Sequence, residues 1–429
     1  MTRLVGKPAT TGWTTKSALA KVPSDAAPNR AGFGAGVYGD DMRLVLAKGS
    51  SQYGSLRLHI DQLAAALSGL GHEIVVVDLI DAEPIPALHA AMAVRTDALV
   101  SFNGMPHEFA AGDFMNQSGA VFASFYLDHP VHHLIRLQSR IQRPALFFLD
   151  ATHIAFMKAW AASDVIGSGG LLPPGANELD EAPDVSDEAF ARRDIPLLFS
   201  GTYRGEPAQG WRGWPDSAAT QIVAQMAERM AADGRLPLLE ALDASLKARE
   251  AALSPEVLRA ITPLLPTVQL FAEAYHRHAV LTALGAAEVP VQIYGLGWEP
   301  LCARYPSFQY GGVGSFEETL HLLRRARIVL SINNGFVAGG HERVFTAMRA
   351  GACVFSEASA YYAGAFDDGR EIVTYDLDSL DRMPGRLLDL MADLPAQAAI
   401  ARAGYQRATA EHRWQARAAA LIQAIEAAR

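Results

Sequence analysis

The stretch from Ile328 to Tyr375 restricts the fold of this chain more than any other. It opens with a short apolar run, Ile328–Ile332, of the kind that forms a strand covered on both faces. Loop formers follow: Asn333, Asn334, Gly335, Gly339 and Gly340. Val344, Ala347 and Met348 then share one helical face, Gly351 stops the helix, and Ala352–Phe355 reads as the next strand. This is the pattern of a parallel α/β unit. In such sheets, a loop running from the carboxyl edge into a helix N-terminus is where phosphate groups are held.

The same alternation recurs along the chain. Arg43–Ala47, Ile74–Leu79, Ala98–Phe102, Val121–Phe125 and Leu146–Leu149 read as strands. Leu56, Ile60, Leu63 and Leu67 fall at helical spacing between the first two, and Gly71 ends that helix. A length of 429 residues exceeds what one core usually holds, so two α/β domains are expected. Residues 171–195 are rich in Pro, Asp and Glu and mark the boundary. The expected division is a flexible tail over 1–40, a Rossmann-like domain over 41–190 and a second over 191–396. The second carries a helical insert at 215–285, and Ala-rich helices fill 397–429.

Charge and cysteine content narrow the function. A formal charge of −9 argues against a nucleic-acid partner, which usually meets a basic patch. Two cysteines, Cys302 and Cys353, give no disulfide framework and suit a reducing, cytoplasmic compartment. No apolar run is long enough for a transmembrane helix, and the N-terminus lacks the apolar core of a signal peptide. No GxxxxGK[ST] or G-x-S-x-G motif occurs, which removes the P-loop NTPases and the nucleophile-elbow hydrolases.

Parallel sheets place function at the carboxyl ends of strands. That rule selects the loops 49–55, 103–108, 126–133, 200–205, 295–298 and 333–342. Asp128, His129, His132 and His133 crowd one of them. Zinc would need three or four converging ligands, and no partnering cysteine stands nearby. A solvated helix start and an active-site loop both fit; in the second, Asp128 or His129 deprotonates an acceptor hydroxyl or grips a sugar. Arg204 follows Gly201, which lets backbone approach a phosphate; an exposed strand-end cation fits as well. Tyr294, Gly295 and Trp298 suit either a tight turn with a packed aromatic or an edge for stacking a base. Asp376-Leu-Asp378 resembles a metal motif but reads as a helix cap, and Ser315 with Glu318 reads as a capping box.

The run HERVFTAMRAGACVFSE, followed by DDGREIVTY, resembles the C-terminal domain of the spore-maturation (CgeB-like) glycosyltransferases, which have the GT-B fold. The likeness extends through IPLLFSGTYR, VQIYGLGW and YGGVGSFEETLHLLRRARIVLSIN, and more faintly through YGSLRLHIDQLAAALSGLGHEIVVVDL and FYLDHP. It implies an α/β, GT-B architecture of two Rossmann-like domains facing a cleft. It also implies that a nucleotide-sugar donor is bound as substrate, with no separate cofactor and no metal. On this mapping Glu342 hydrogen-bonds donor hydroxyls; the plainer reading is a carboxylate favoured by the helix dipole. Asn333, Gly340, His341 and Arg343 surround the diphosphate, though Arg343 fits a surface cation equally, and Gly54 and Ser55 let the first helix approach it or form a plain helix N-terminus. Relatives carry a second Glu four residues beyond Glu342 that grips the ribose. Here Thr346 stands in its place, without the charge for that contact.

The expected activity is metal-independent transfer of a hexosyl-type group from a nucleotide diphosphate to a hydroxyl acceptor, a glycan, protein or metabolite. The alternatives are a nucleotide-sugar epimerase and a catalytically degenerate GT-B module for sugar binding or assembly, an idea that Thr346 feeds. Base, sugar, acceptor, stereochemical outcome and oligomeric state stay open at this stage.

Overall fold

The computed structural model describes residues 41–105, 111–138, 140–161, 164–333 and 335–429. The tail expected over 1–40, the end of the 103–108 loop and Asn334 lie outside the described residues.

Among the described residues twelve strands form two sheets. β1 (Arg43–Lys48), β2 (Glu73–Asp78), β3 (Ala98–Phe102), β4 (Val121–Tyr126), β5 (Pro144–Phe148) and β6 (Gly170–Leu171) make the first, in the order β2-β1-β3-β4-β5-β6. β7 (Ile195–Ser200), β8 (Val291–Tyr294), β9 (Phe308–Tyr310), β10 (Ala326–Ser331), β11 (Cys353–Glu357) and β12 (Val373–Tyr375) make the second, in the order β12-β11-β10-β7-β8-β9. Every pairing within the sheets is parallel.

Strand composition follows from burial on both faces. In the first sheet Val45, Ala47 and Leu99 point into one apolar cluster, and Leu44, Leu46, Val100 and Phe102 into another. The second sheet divides likewise, with Leu197, Phe199, Ile328 and Leu330 on one side and Ile195, Leu198, Val329 and Val354 on the other. Helix Ser55–Gly69 covers one face of the first sheet with the expected residues Leu56, Ile60, Leu63 and Leu67. The last helix, Trp414–Ala428, lies beside it and fills the same cluster with Trp414, Leu421, Ile422 and Ile425.

The helical insert departs from the expected division. Its helices Ala218–Ala232, Leu238–Lys247 and Pro255–Ile261 bury Val223, Met226, Leu242 and Leu258 in one cluster with Phe148, Phe156 and Met157 of the first sheet's layer. The chain enters and leaves this insert from the second sheet, yet its apolar faces complete the first unit. The helix Leu265–Ala286 joins both units. Leu265, Val268 and Phe271 belong to the first cluster, and Val280, Leu281 and Leu284 to that of the second sheet.

Each sheet has a point where neighbouring strands send their connections in opposite directions. These are β1/β3 in the first and β7/β10 in the second. Open α/β sheets bind ligands at such points.

Candidate active site

Between the two sheets lies a cleft of about 330 Å³. Its walls come from the loops after β1, β3, β4, β7 and β8 and from the start of helix Glu342–Arg349. Ser51, Tyr53 and Ser55 face it from the first loop, and Asn103 and Asp128 from the next two. Thr202, Arg204, Tyr294 and Gly295 face it from the second sheet.

The closeness of β7 and β8 depends on glycine. Gly295 has φ 122°, and a Cβ there would stand 2.0 Å from the Gly201 carbonyl oxygen. The Trp298 indole donates to that same oxygen at 2.7 Å and is fully buried, stacked on Tyr203. Trp298 is therefore the packed aromatic of a tight turn, and no base can stack on it.

Helix Glu342–Arg349 aims its N-terminus at the cleft. His341 is its cap, with Nδ1 3.2 Å from the Arg343 N–H and 2.5 Å from a Glu342 carboxylate oxygen. One ring nitrogen serves one of these contacts at a time: protonated it donates to Glu342, and neutral it accepts from Arg343. Burial alone would raise the Glu342 carboxyl, but the charges of His341 and Arg343 outweigh it and hold the group at about 2. Arg343 is half-buried over the Phe199 ring, and its buried Nη1 has no hydrogen-bond partner among the described residues. Burial lowers the pKa of its guanidinium, with Glu342 opposing. A cation with an unpartnered buried nitrogen on a cleft wall stabilises an anion placed there.

Thr346 also reaches the cleft, but its hydroxyl is engaged. It accepts the Asn177 N–H at 3.0 Å and is 1% exposed. The Asn177 side chain in turn meets His59 at 3.0 Å and the Trp414 indole at 3.2 Å. The residue where relatives carry a ribose-binding Glu thus anchors the segment between the two units.

Asp128 stands at the opposite wall, 3.4 Å from His133 Nε2 and from the Asn103 amide. Dehydration opposes its ionisation, but His133 and His132 outweigh it and hold the carboxyl below its ordinary range. His129 is not beside it in the cleft. Its Nδ1 accepts the Val131 N–H at 3.1 Å as the cap of a short turn, and its ring packs against His153 and Phe156. With Nδ1 engaged by the Val131 N–H and the ring outside the cleft lining, His129 is not placed to activate an acceptor there, and burial lowers its proton affinity.

Three further expectations shift. Asn333 is fully buried: its N–H donates to Glu357 at 2.8 Å, its amide to the Glu357 carbonyl at 2.9 Å, and its Oδ1 accepts from Tyr362 at 3.2 Å. It braces β10 against β11 and holds no ligand. Gly340 donates its N–H to the Leu149 carbonyl at 3.2 Å, and a Cβ on Gly339 would lie 2.3 Å from that oxygen. The glycine pair therefore lets this loop dock on the end of β5, and does not cradle a diphosphate. Asp376 pairs with Arg235 and makes no capping bond. Gly54 does open the first helix, at φ 80°, with its own N–H turned onto Ser51 at 3.1 Å. The capping box of Ser315 and Glu318 is formed. Among the described residues no group of three or more His, Cys, Asp or Glu side chains is arranged to hold a metal ion.

Some residues of the cleft carried no motif. Arg277 and Glu273 lie one turn apart on helix Leu265–Ala286 and face inward. Arg277 donates to the Thr202 carbonyl at 2.5 Å, and Glu273 accepts from Gln269 at 3.1 Å. Burial and the Arg343 charge push Arg277 down to about 10. Tyr53 crosses the cleft: its hydroxyl is 2.7 Å from Thr202 Oγ1 and accepts the Leu296 N–H at 3.2 Å. Its loop was selected by the strand-end rule, and hydroxyl chemistry beside Gly54 was the available signal.

Two parallel six-stranded units around such a cleft define the GT-B fold. Sucrose-phosphate synthase from Thermosynechococcus elongatus superposes with a TM-score of 0.51 at 12% identity, covering 88% of this chain and 96% of its own. A glycosyltransferase involved in avilamycin A biosynthesis gives 0.50 at 15%, covering 90% and 97%. An α-glucosyltransferase solved with UDP and a 13-mer DNA containing a HMU base gives 0.52 at 9%, covering 87% and 96%. These are likenesses of fold. Residues 276–423 match the family model described as Glycosyl transferase-like, so the chain carries a domain of that kind across most of its second half. Comparison with curated proteins gives no match.

Among the described residues no helix is long and apolar enough to cross a membrane.

Proposed function

We propose that this protein transfers a glycosyl group, hexosyl in type, from a nucleoside-diphosphate sugar to a hydroxyl acceptor without a divalent metal. The observation that carries the reading is Arg343: a half-buried guanidinium whose buried Nη1 has no partner among the described residues, at a helix N-terminus on the cleft wall. Charge that leaves with a diphosphate needs a partner there, and a helix N-terminus with arginine supplies one in place of a metal. Arg204, on the loop after β7, adds a second cation to the cleft lining. Glu342, held ionised beside Arg343, accepts hydrogen bonds from donor sugar hydroxyls. Ser55 and Tyr294 complete the donor side, and Asp128 faces them as an anion suited to binding hydroxyls.

The resemblance of 341–357 and 367–375 to the CgeB-like group supports this reading, as does the family match over 276–423. The unpaired Cys302 and Cys353 support a cytoplasmic site of action. UDP is the first nucleotide to test, because the α-glucosyltransferase of this fold was solved with it. The test is nucleotide release from UDP-, GDP- and TDP-sugars in EDTA, with and without a panel of monosaccharide and peptide acceptors. Release that rises with an acceptor supports transfer. Donor consumption without any acceptor product points to the epimerase, and binding without turnover to the degenerate module. Activity abolished by EDTA and restored by Mn²⁺ overturns the metal-independent part.

A further inference from the structure

We propose that His59, on the first helix, accepts a hydrogen bond from a hydroxyl of the donor sugar through Nε2 and so helps to select the sugar, a role that rests on the glycosyl-transfer reading above. Helix Ser55–Gly69 starts at the cleft, and His59 lies one turn in, 1% exposed and part of the cleft wall. Phe102, Phe316 and Trp414 clamp its ring, with centroids 5.6, 5.7 and 5.5 Å away. The plane of the imidazole is therefore set before any ligand arrives. His59 lies outside 276–423, so the family match assigns it nothing.

The neighbours also place the hydrogen on the ring. The Trp414 indole can only donate, and it meets Asn177 Oδ1 at 3.2 Å. The atom that Asn177 turns to both rings is thus its carbonyl oxygen. His59 Nδ1 lies 3.0 Å from that oxygen and must donate to it. Asn177 is itself tied through its N–H to the Thr346 hydroxyl, so this arrangement is anchored at the helix that carries Glu342. Burial lowers the proton affinity of His59, with Glu342 and Asn177 opposing. A neutral ring that donates from Nδ1 can only accept at Nε2.

Among the described residues Nε2 has no hydrogen-bond partner, and it stays open to the cleft. Glu342 stands close enough for the charges of the two groups to act on each other. One side of the cleft thus offers two acceptors, a carboxylate and an imidazole nitrogen. A sugar brings O–H donors on neighbouring carbons to meet them. A sugar without the hydroxyl that reaches Nε2 leaves that nitrogen shut in and unpaired, which is how such a site discriminates.

Two substitutions separate the ring nitrogens. In His59→Asn the amide NH₂ takes the place of Nδ1–H, and the Nε2 acceptor is gone. In His59→Gln the amide oxygen takes the place of Nε2, and the bond to Asn177 is gone. Wild type and both variants are titrated by calorimetry with UDP, GDP and TDP, with UDP-glucose, GDP-mannose and TDP-glucose, and with the 2-, 3-, 4- and 6-deoxy forms of the sugar that binds best. Expected are unchanged affinity for free nucleotide and, in His59→Asn alone, about 5- to 10-fold weaker binding of the nucleotide sugar. One deoxy form should bind more weakly than its parent to wild type and equally to His59→Asn. Thermal melting should rank the variants the other way, with His59→Gln the less stable. Equal nucleotide-sugar affinity in wild type and His59→Asn overturns the role and leaves the glycosyl-transfer reading standing. So does an equal loss in His59→Gln, which marks His59 as a packing residue. Wild type alone can also overturn it, if every deoxy form binds as well as its parent or if nucleotides bind and none of the three sugars does. Failure of the wild type to bind any nucleotide removes both.

Discussion

Arg343 concentrates the cost and the use of the site in one side chain. Its buried Nη1 has no hydrogen-bond partner among the described residues, so stability is given up there for charge in the cleft. Arg343→Ala should therefore hold or raise the melting temperature of the free protein. The same change should weaken nucleoside-diphosphate binding by about 1.5–3 kcal/mol, the usual worth of a hydrogen bond to a charged group. Thermal melting and calorimetry read the two effects; a large loss of stability with unchanged affinity would make Arg343 a structural residue. Glu342 behaves oppositely. Its folded carboxyl lies at about 2 against an ordinary 4.5, so the stability it contributes is fully present above pH 4.5. That contribution is lost as pH falls through 2. Glu342→Gln should flatten this acid limb and slow transfer by about 100-fold, with the nucleotide still bound. Thr346 makes a third case. Thr346→Val leaves the buried Asn177 N–H unpaired, at about 1–3 kcal/mol, and Thr346→Ser should restore most of it. Thr346→Glu should fail to gain nucleotide affinity, because the position is committed to the buried Asn177 N–H. Tighter binding in that variant would return the position to the ribose.

At the scale of elements, β7 and β8 are held at a separation that only glycine permits. Gly295→Ala places a methyl group against the Gly201 carbonyl at a positive φ, so a cost of several kcal/mol is expected from strain and collision together. A melting temperature close to wild type would show that the turn can open. This contact also shows where sequence reading stops. Strands β1, β2, β3, β4, β5, β10 and β11 stood out in the sequence, and the strand-end rule named the loops that now line the cleft. That Gly295 meets Gly201, or that Gly339 meets Leu149, depends on which strand ends are neighbours, which no local pattern encodes. The insert shows the same limit. Its periodicity announces a buried face on each helix, but not which sheet the face will cover. Glu273 and Arg277 sit on such a helix, at a spacing indistinguishable from a surface pair, and so carried no signal. His129, by contrast, had the right residue type at the right loop and was turned inward by a cap that the sequence does not mark.

The whole molecule is two units tied at several places: the helix Leu265–Ala286, the last helix on the first sheet, and Tyr53 across the cleft. Removal of 414–429 would uncover the face buried by Leu421, Ile422 and Ile425, each worth about 1.5–3 kcal/mol of burial. The expected result is loss of the soluble folded chain, read by solubility and circular dichroism; a folded truncated chain would show that helix to be dispensable. The central claim is that the cleft beside Arg343 binds a nucleoside diphosphate. Calorimetric titration with UDP, GDP and TDP, on wild type and Arg343→Ala, tests it most directly. At a hundredfold excess over Kd, one of the three should stabilise the wild type by about 2.7 kcal/mol and the variant by clearly less. Equal binding by both proteins, or binding by neither, would contradict the account.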